Sequence, residues 1–291
     1  MVVASSRIAT RMSGLWHTFE IGPCGQDDNH APVARAEIDT SLSSQFVEAL
    51  ADPNQSIAID RIVAPEGAPA LVCFGGISGG LFGPPFEFLH LTEAFTAHRV
   101  FVRDLEQCWY QQGIRNLGTD VPGAADALDH VLNDLGATRR IFVGTSSGGF
   151  AAVLFGVLAG ADEIVAFAPQ ASLKRVFRAR HFDRRWAPMV KKARRNSIDP
   201  AHIDLVQLLR TSPGSTKVRV HYGTDSRLDT VCARRLGSSS RVSLTAHPGE
   251  HTFVRELRDS GSLEALLRSV LEPDVEEPDV EAMGQRGQQP E

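Results

Sequence analysis

The sequence contains little cysteine and no long apolar run, and both shortages restrict what the protein can be. Its four cysteines among 291 residues are scattered and form no CxxC pair or metal-ligand spacing, so neither a disulfide scaffold nor a zinc module is expected. The longest apolar stretch, residues 150–161, is far shorter than the roughly 20 residues of a membrane span. The N-terminus lacks the apolar segment of a secretory signal. We therefore expect a reduced, cytoplasmic protein with no membrane span, no metal and no cofactor.

The charge is modest overall but unevenly distributed. A net charge of −5 supports solubility and argues against a dedicated nucleic-acid binder. Residues 171–210 carry eleven Lys/Arg and three Asp, a net charge of +8. Residues 271–291 contain seven acids, one Arg and several prolines, which predicts a disordered acidic tail.

Strand and helix signals alternate between residues 56 and 270. Strands are predicted at 56–63, 70–74, 99–102, 141–143, 163–167, 217–222 and 241–246. Helices are predicted at 86–95, 124–135 and 148–158, with a final pair from residue 251. Residues 1–55 are predicted to form an N-terminal segment with edge strands, one of them near 16–21. This alternation predicts a mostly parallel sheet with helices on both faces, and it makes 171–210 a lid-like insertion after the sixth strand.

Two stretches match the pattern G-x-S-x-G, one around Ser78 and one around Ser146. The chemistry requires a tight turn between a buried strand and a helix, which lifts the serine Oγ above the sheet. Ser146 meets this requirement, because apolar IFV precedes it and small-residue GGFAAVLFGVLAG follows it. The glycines two residues before and after it would let backbone segments approach closely. Ser78 is followed by LFGPP, which cannot begin a regular helix. We predict Ser146 as the nucleophile; a phosphate-binding loop is the alternative, but its spacing does not fit.

The glycine-rich segment around Ser78 is predicted to have another role. It follows strand 70–74, which we expect beside the nucleophile strand, where backbone N–H groups face the developing oxyanion. The N–H of Gly76 or Ile77, together with that of Ser147, would then form an oxyanion hole. A flexible turn is the alternative.

A serine hydroxyl needs a general base, and two histidines late in the chain are candidates. His247 lies at the end of a strand and could cap that edge. His251 follows a Pro-Gly turn, from which a loop could bring the imidazole over the serine, and we predict His251 as the base. Pro248 and Gly249 interrupt any helix between the two histidines, so the HExxH zinc geometry is not available.

The acid that orients the base is expected after strand 217–222, where two aspartates occur. Asp225 is closer to the strand end, whereas Asp229 could equally cap a helix that starts near Thr230. One of them should hydrogen-bond Nδ1 of His251 and fix its tautomer. The order Ser, Asp, His along the chain is that of the α/β-hydrolases.

Over about residues 56–270 the chain resembles the α/β-hydrolase superfamily. More narrowly, it resembles an uncharacterised bacterial branch of hydrolase/acyltransferase-like proteins found near polysaccharide and secondary-metabolite genes. The motifs that carry the resemblance are FGG, PPFEF, RDLEQCWYQQG, GTSSGGFAA, FAPQ, YGTDSRLD and GEHTFVRELRDSG. The resemblance implies an acid deep in the YG…D loop, which favours Asp229. The sequence departs from the commoner G-x-x-D arrangement, because the third residue after Gly223 is Ser226.

These features predict a serine hydrolase that acts on an ester, thioester or amide through an acyl-enzyme on Ser146. An acyltransferase or thioesterase that uses an acyl carrier is the alternative, and a non-catalytic binding module on the same scaffold is the alternative of another class. The basic insertion could guide an anionic carrier such as coenzyme A to the serine, although charged runs are usually solvated helix surfaces. Trp109 and Tyr110 are candidates for the border of the substrate cleft, with core packing as the alternative. The expected partner is a small acyl substrate, free or carrier-bound.

Overall fold

A computed structural model describes residues 11–12, 15–16, 40–62, 67–77 and 86–272. The chain divides into two compact units, residues 1–35 and 36–291. In the first unit, strands β1 (Arg11–Met12) and β2 (Leu15–Trp16) pair in the antiparallel sense as a two-stranded sheet. The second unit begins well before residue 56 and includes helix α1 (Thr40–Ala51), which the sequence analysis did not predict.

Seven strands form the main sheet of the second unit. They are β3 (Ile57–Asp60), β4 (Ala70–Phe74), β5 (His98–Val102), β6 (Arg140–Thr145), β7 (Glu163–Phe167), β8 (Lys217–Gly223) and β9 (Val242–His247). Their spatial order is β3-β5-β4-β6-β7-β8-β9. β3 pairs antiparallel with β5, and every other neighbouring pair is parallel. The prediction of a mostly parallel sheet is confirmed.

Helices cover both faces of this sheet. They are α2 (Val121–Asp134), α3 (Ser147–Leu158), α4 (Arg175–Arg180), α5 (Ala187–Asn196), α6 (Leu205–Thr211), α7 (Arg227–Leu236), α8 (Phe253–Asp259) and α9 (Ser262–Leu271). Alternate residues of β4 enter two separate apolar cores: Val72 and Phe74 pack with α2 and α3, whereas Leu71 and Cys73 pack with α8 and α9. A strand that is buried on both faces reads as a continuous apolar run, as β4 does. No helix among the described residues is long and apolar enough to cross a membrane.

One local prediction is corrected by the structure. Residues 86–95 do not form the predicted α-helix; they form turns around a 3-10 helix at His90–Thr92. The reason is that the backbone of Phe88 has φ +67°, which interrupts a right-handed helix while the ring is buried. Of the strand expected near 16–21, Trp16 belongs to β2, which pairs antiparallel with β1, and residues 17–21 lie outside the described residues.

The basic insertion, residues 171–210, lies between β7 and β8 and contains α4, α5 and α6. It therefore follows the fifth strand of the main sheet in chain order and not the sixth, because Leu15–Trp16 belongs to the two-stranded sheet of the first unit. Of the tail predicted at 271–291, Leu271 ends α9 and residues 273–291 lie outside the described residues.

Candidate active site

Ser146 occupies a sharp turn between the central strand β6 and helix α3. Its backbone has φ +57° and ψ −115°, a conformation that is costly for a residue with a side chain and that clusters at functional sites. The flanking glycines explain how the turn closes. A Cβ on Gly144 would lie 2.2 Å from the carbonyl oxygen of Gly148, and a Cβ on Gly148 would lie 2.2 Å from that of Phe74. The close approach predicted for these two glycines is confirmed.

The structure brings His251 and Asp229 to this serine in one line of contacts. Nε2 of His251 lies 3.0 Å from Oγ of Ser146. Nδ1 of His251 lies 2.7 Å from Oδ2 of Asp229. Asp229 is almost completely buried, at 2% exposure, whereas the His251 side chain is 31% exposed. The imidazole thus joins a buried carboxylate to a hydroxyl at the surface of the site.

Asp225 has a different place from Asp229. It is exposed, and its Oδ2 accepts a hydrogen bond from the Gly249 N–H at 3.1 Å. It therefore braces the loop that carries His251 and does not contact the imidazole. The cap of α7 is Ser226, not Asp229, because the helix begins at Arg227. The carboxylate of Asp229 in the first turn is consequently free to reach His251.

His247, the other histidine considered as a base, packs away from Ser146. Its Nε2 lies 2.9 Å from Nδ1 of His221, and its ring stacks on Phe253 with centroids 5.0 Å apart. Burial lowers the pKa of His247 from 6.5. Burial, followed by the charges of His247 and Arg219, lowers the pKa of His221 to about 4. The two imidazoles, together with Phe253, form a packing cluster that does not include Ser146.

Asp229 has a second partner that sequence reasoning missed. Its Oδ1 accepts a hydrogen bond from Nη1 of Arg185 at 3.0 Å. Burial would raise the pKa of Asp229, but its hydrogen bond and charge interaction with His251, and those with Arg185, outweigh burial and lower it. In the sequence Arg185 contributed only to a charge total, and no local signal distinguished it from its basic neighbours.

The predicted oxyanion donors are not equally available. The Gly76 N–H already donates to Oε2 of Glu87 at 2.7 Å, and Glu87 is buried. Gly76 is therefore corrected as a candidate, because the side chain of Glu87 already accepts a hydrogen bond from its N–H. Ser147 is the first residue of α3, where N–H groups have no partner within the helix. Ser147 and Ile77 remain candidates, and Ser78 lies outside the described residues.

The two aromatic residues predicted at the cleft are buried in the core. Trp109 is 1% exposed and Tyr110 is 0% exposed, so neither ring offers a surface to substrate, and the alternative of core packing describes their place. Both still reach the site through a polar atom. Nε1 of Trp109 donates to Oε1 of Gln170 at 3.0 Å, and Nε2 of Gln170 lies 3.4 Å from Oγ of Ser146. Tyr110 donates to the carbonyl of Gly75 at 2.8 Å.

Comparisons with known proteins bear on the fold. No family model matches the chain, and no curated protein matches it. Among solved structures, it is similar to the capsule O-acetyltransferase of Neisseria meningitidis serogroup A, with 14% identity and a TM-score of 0.53 over 75% of this chain and 91% of that one. It is similar to a Pyrobaculum calidifontis esterase, with 16% identity and a TM-score of 0.51 over 82% and 92%. It is also similar to an acylaminoacyl peptidase, with 13% identity and a TM-score of 0.55 over 78% and 41%.

The chain has the α/β-hydrolase fold. In this fold, the site lies at the carboxyl ends of the parallel strands. Ser146 follows β6, Asp229 follows β8 and His251 follows β9, so three separate strand ends meet at one place. Among the described residues, no group of three or more His, Cys, Asp or Glu side chains could hold a metal ion. The arrangement is chemically able to move a proton from the Ser146 hydroxyl to an imidazole held by a carboxylate.

Proposed function

We propose that the protein is a serine hydrolase that cleaves an ester, thioester or amide through an acyl-enzyme on Ser146. The observation that carries the proposal is the pair of contacts that His251 makes, 3.0 Å to Oγ of Ser146 and 2.7 Å to Asp229. Both lie within hydrogen-bond reach, so the imidazole can take the hydroxyl proton as Oγ attacks. The left-handed backbone at Ser146 supports the same function, because it presents Oγ above the sheet.

The reaction has two halves that use the same residues. Oγ of Ser146 bonds to the carbonyl carbon while its proton moves to Nε2 of His251, and negative charge develops on the carbonyl oxygen. The N–H groups of Ser147 and Ile77 are the proposed donors to that oxygen. The bond to the leaving group then breaks, the leaving group takes the proton from His251, and an ester on Ser146 remains. A water molecule deprotonated by His251 releases the acid and restores the serine, while Asp229 stays ionised.

Labelling with a fluorophosphonate probe tests this proposal, because the probe reacts covalently with an activated serine. We expect the wild type to be labelled, Ser146→Ala to lose labelling and Ser78→Ala to retain it. Loss of labelling in Ser78→Ala alone would show that the other G-x-S-x-G motif carries the nucleophile. An unlabelled wild type would favour a non-catalytic binding module on the same scaffold.

A second candidate function is acyl transfer from a carrier, and a basic groove between α4 and α7 favours it. This groove has a volume of about 700 Å³. Its walls include the ring of Phe177, with the guanidinium of Arg235 over it at 4.9 Å. Arg180 and Arg234 also line it, so it is suited to a phosphate-bearing molecule with a flat apolar part. The similar capsule O-acetyltransferase has been solved in complex with coenzyme A.

In the acyltransferase, a hydroxyl or amine acceptor replaces water in the second half of the reaction. Release of free coenzyme A from acetyl-coenzyme A, with and without candidate acceptors, separates the two functions. We expect the double variant Arg180→Gln, Arg234→Gln to raise KM for the coenzyme A thioester and to leave KM for a neutral aryl ester unchanged. Added salt should raise only the first KM, because it screens exposed charges. Arg195→Gln, on the exposed side of α5, is the matched control; an equal effect of all variants on both substrates would contradict a carrier site.

A further inference from the structure

Both oxygens of the Asp229 carboxylate are engaged by cationic or ionisable groups. Oδ2 faces Nδ1 of His251 at 2.7 Å and Oδ1 faces Nη1 of Arg185 at 3.0 Å. With 2% of its side chain exposed, Asp229 has little room to be solvated in their place. The orientation of the carboxylate is therefore fixed from two opposite ends.

Arg185 is itself held by a second buried aspartate of the basic insertion. Its Nε lies 3.2 Å from Oδ1 of Asp183 and its backbone N–H donates to the same oxygen at 3.0 Å. Nη1 of Arg178 donates to Oδ2 of Asp183 at 3.0 Å. The side chains of Arg178 and Asp183 are 7% and 4% exposed, and that of Arg185 is 25% exposed. Side chains of alternating charge, in the order Arg178, Asp183, Arg185 and Asp229, thus connect the insertion with His251 and Ser146.

The backbone on both sides of this ion pair is strained. Phe182 has φ +55° and Trp186 has φ +51°, conformations that are unfavourable for bulky side chains. Burial of the two rings does not offset that strain, because Phe182 is 78% exposed and Trp186 is 45% exposed. The segment accepts strain at both of its ends, while Arg185 contacts Asp229 and Asp183 holds Arg185. This combination is more typical of a functional segment than of a solvated helix surface.

We propose that Arg185 is a positioning residue of the active site, through which the basic insertion orients Asp229 and limits how strongly that carboxylate stabilises a protonated His251. The inference rests on the proposed function of Ser146 and His251. An arginine keeps its charge at every working pH. A carboxylate that interacts with a permanent cation stabilises a second cation less, so protonated His251 is less stable with Arg185 in place than without it.

Among the residues that the structure describes, the other ionisable groups near Asp229 and His251 leave Arg185 as the permanent cation that acts on Asp229. Cys232, on the same helix as Asp229, has a pKa raised by burial to about 11 and is a neutral thiol. Glu256 of α8 lies by Gly249, in the loop that carries His251. Asp183 faces Arg185 from its other side, together with Arg178. Substitution of Arg185 therefore changes the charge next to Asp229 without removing a group that touches His251.

The test compares Arg185→Gln, Arg185→Lys and a matched control, Arg184→Gln, whose parent residue is the exposed neighbour in the same segment. The titration of His251 is followed by NMR, with its signal assigned by its disappearance in His251→Asn. The acidic limb of kcat/KM is measured in parallel with a neutral aryl ester. We expect Arg185→Gln to move both midpoints upwards by about one pH unit and to lower kcat while KM stays unchanged. Arg185→Lys should restore the midpoints, and Arg184→Gln should match the wild type.

The outcomes separate a positioning role from a structural one. If Arg185→Gln lowers the melting temperature but leaves the His251 midpoint unchanged, the residue only stabilises the insertion and the inference is overturned. An upward shift in a well-folded Arg185→Lys would also overturn it, because charge would not be the cause. If Arg185→Gln does not fold, Arg185→Met, which keeps the aliphatic stem and removes the charge, takes its place: an upward shift of its His251 midpoint supports the inference, and an unchanged midpoint overturns it. The NMR titration does not depend on turnover, so failure of the proposed function shows separately, as absence of fluorophosphonate labelling.

Discussion

Substitution of Asp229 by Asn, with Asp225→Asn as its matched control, measures how far the site depends on one carboxylate. The two aspartates are four residues apart after the same strand, but only Asp229 contacts His251, at 2.7 Å. Asp225 is exposed and accepts a hydrogen bond from Gly249. An Asn at position 225 can still accept that bond through its amide oxygen, so the loop should keep its conformation.

We expect Asp229→Asn and Asp225→Asn to differ by orders of magnitude in their effect on activity. An amide N–H directed at Nδ1 of His251 favours the tautomer with its proton on Nε2, which can no longer accept a proton from Ser146. In serine hydrolases this error costs about 10⁴-fold in kcat, or about 5.4 kcal/mol of transition-state stabilisation. Asp229→Asn also removes one partner of a buried ion pair, which costs about 3–5 kcal/mol of folding stability. We expect the lower end, because Asp183 stays paired with Arg185. Asp225→Asn should change stability by less than about 0.5 kcal/mol.

The assay is the rate of fluorophosphonate labelling of Ser146, followed by kcat and KM for an ester once one is found. Urea denaturation of both variants establishes that each is folded under the assay conditions. Labelling of Asp229→Asn within tenfold of the wild-type rate would refute the assigned geometry. A loss in Asp225→Asn as large as that in Asp229→Asn would refute it as well, because a loop brace should not match a carboxylate that orients the base.

Three further predictions concern packing and pH. Gly148→Ala places a Cβ 2.2 Å from the carbonyl oxygen of Phe74, so we expect a loss of at least about 2 kcal/mol in the free energy of unfolding by urea; an unchanged midpoint would contradict the close approach. Gln170→Ala leaves the buried Trp109 N–H without its acceptor and should cost about 1–3 kcal/mol, part of which Trp109→Phe should restore in the double variant; strictly additive losses would argue against the contact. Burial lowers the pKa of His221 from 6.5 to about 4, so the folded state binds this proton less readily than the unfolded chain. The contribution of neutral His221 to the free energy of unfolding is fully present above about pH 6.5 and is lost as the pH falls towards 4, by up to about 3 kcal/mol. The urea midpoint of His221→Gln should therefore depend less on pH over that range than the wild-type midpoint does.

The main sheet could be predicted from the sequence because its strands have a strong local signal. All five residues of β4 and of β7 are buried, and a strand covered on both faces is a nearly continuous apolar run; Glu163, at the start of β7, is buried in ion pairs with Arg139 and Arg219. Helix α1 could not be predicted in this way, because a short polar helix gains its stability from packing, here of Phe46 and Leu50 against the core. The helix predicted at 86–95 was wrong for a related reason. Pro84 and Pro85, directly before this segment, are typical of a helix start, but the buried Phe88 has a left-handed backbone with φ +67°.

At the site, the sequence predicted those residues whose structural context is formed by their near neighbours in the chain. Ser146 is specified by the strand, glycines and helix next to it. The choice between Asp225 and Asp229 was open because it depends on where α7 begins, and the cap at Ser226 decides that. The occupied N–H of Gly76 depends on Glu87, and Gln170 depends on Trp109 61 residues away. Contacts between distant segments leave no spacing in the sequence to detect.

The ion pair between Arg185 and Asp229 has a consequence for how this scaffold can be altered. Insertions between strands are often treated as exchangeable modules, because the sheet folds without them. Here, exchange of residues 171–210 for another insertion would keep Ser146, Asp229 and His251 but would remove Arg185. The buried carboxylate of Asp229 would then have lost its cation. Chimaeras that graft a new specificity onto this protein should therefore carry the Asp183–Arg185 segment with the core, together with Arg178, which pairs with Asp183.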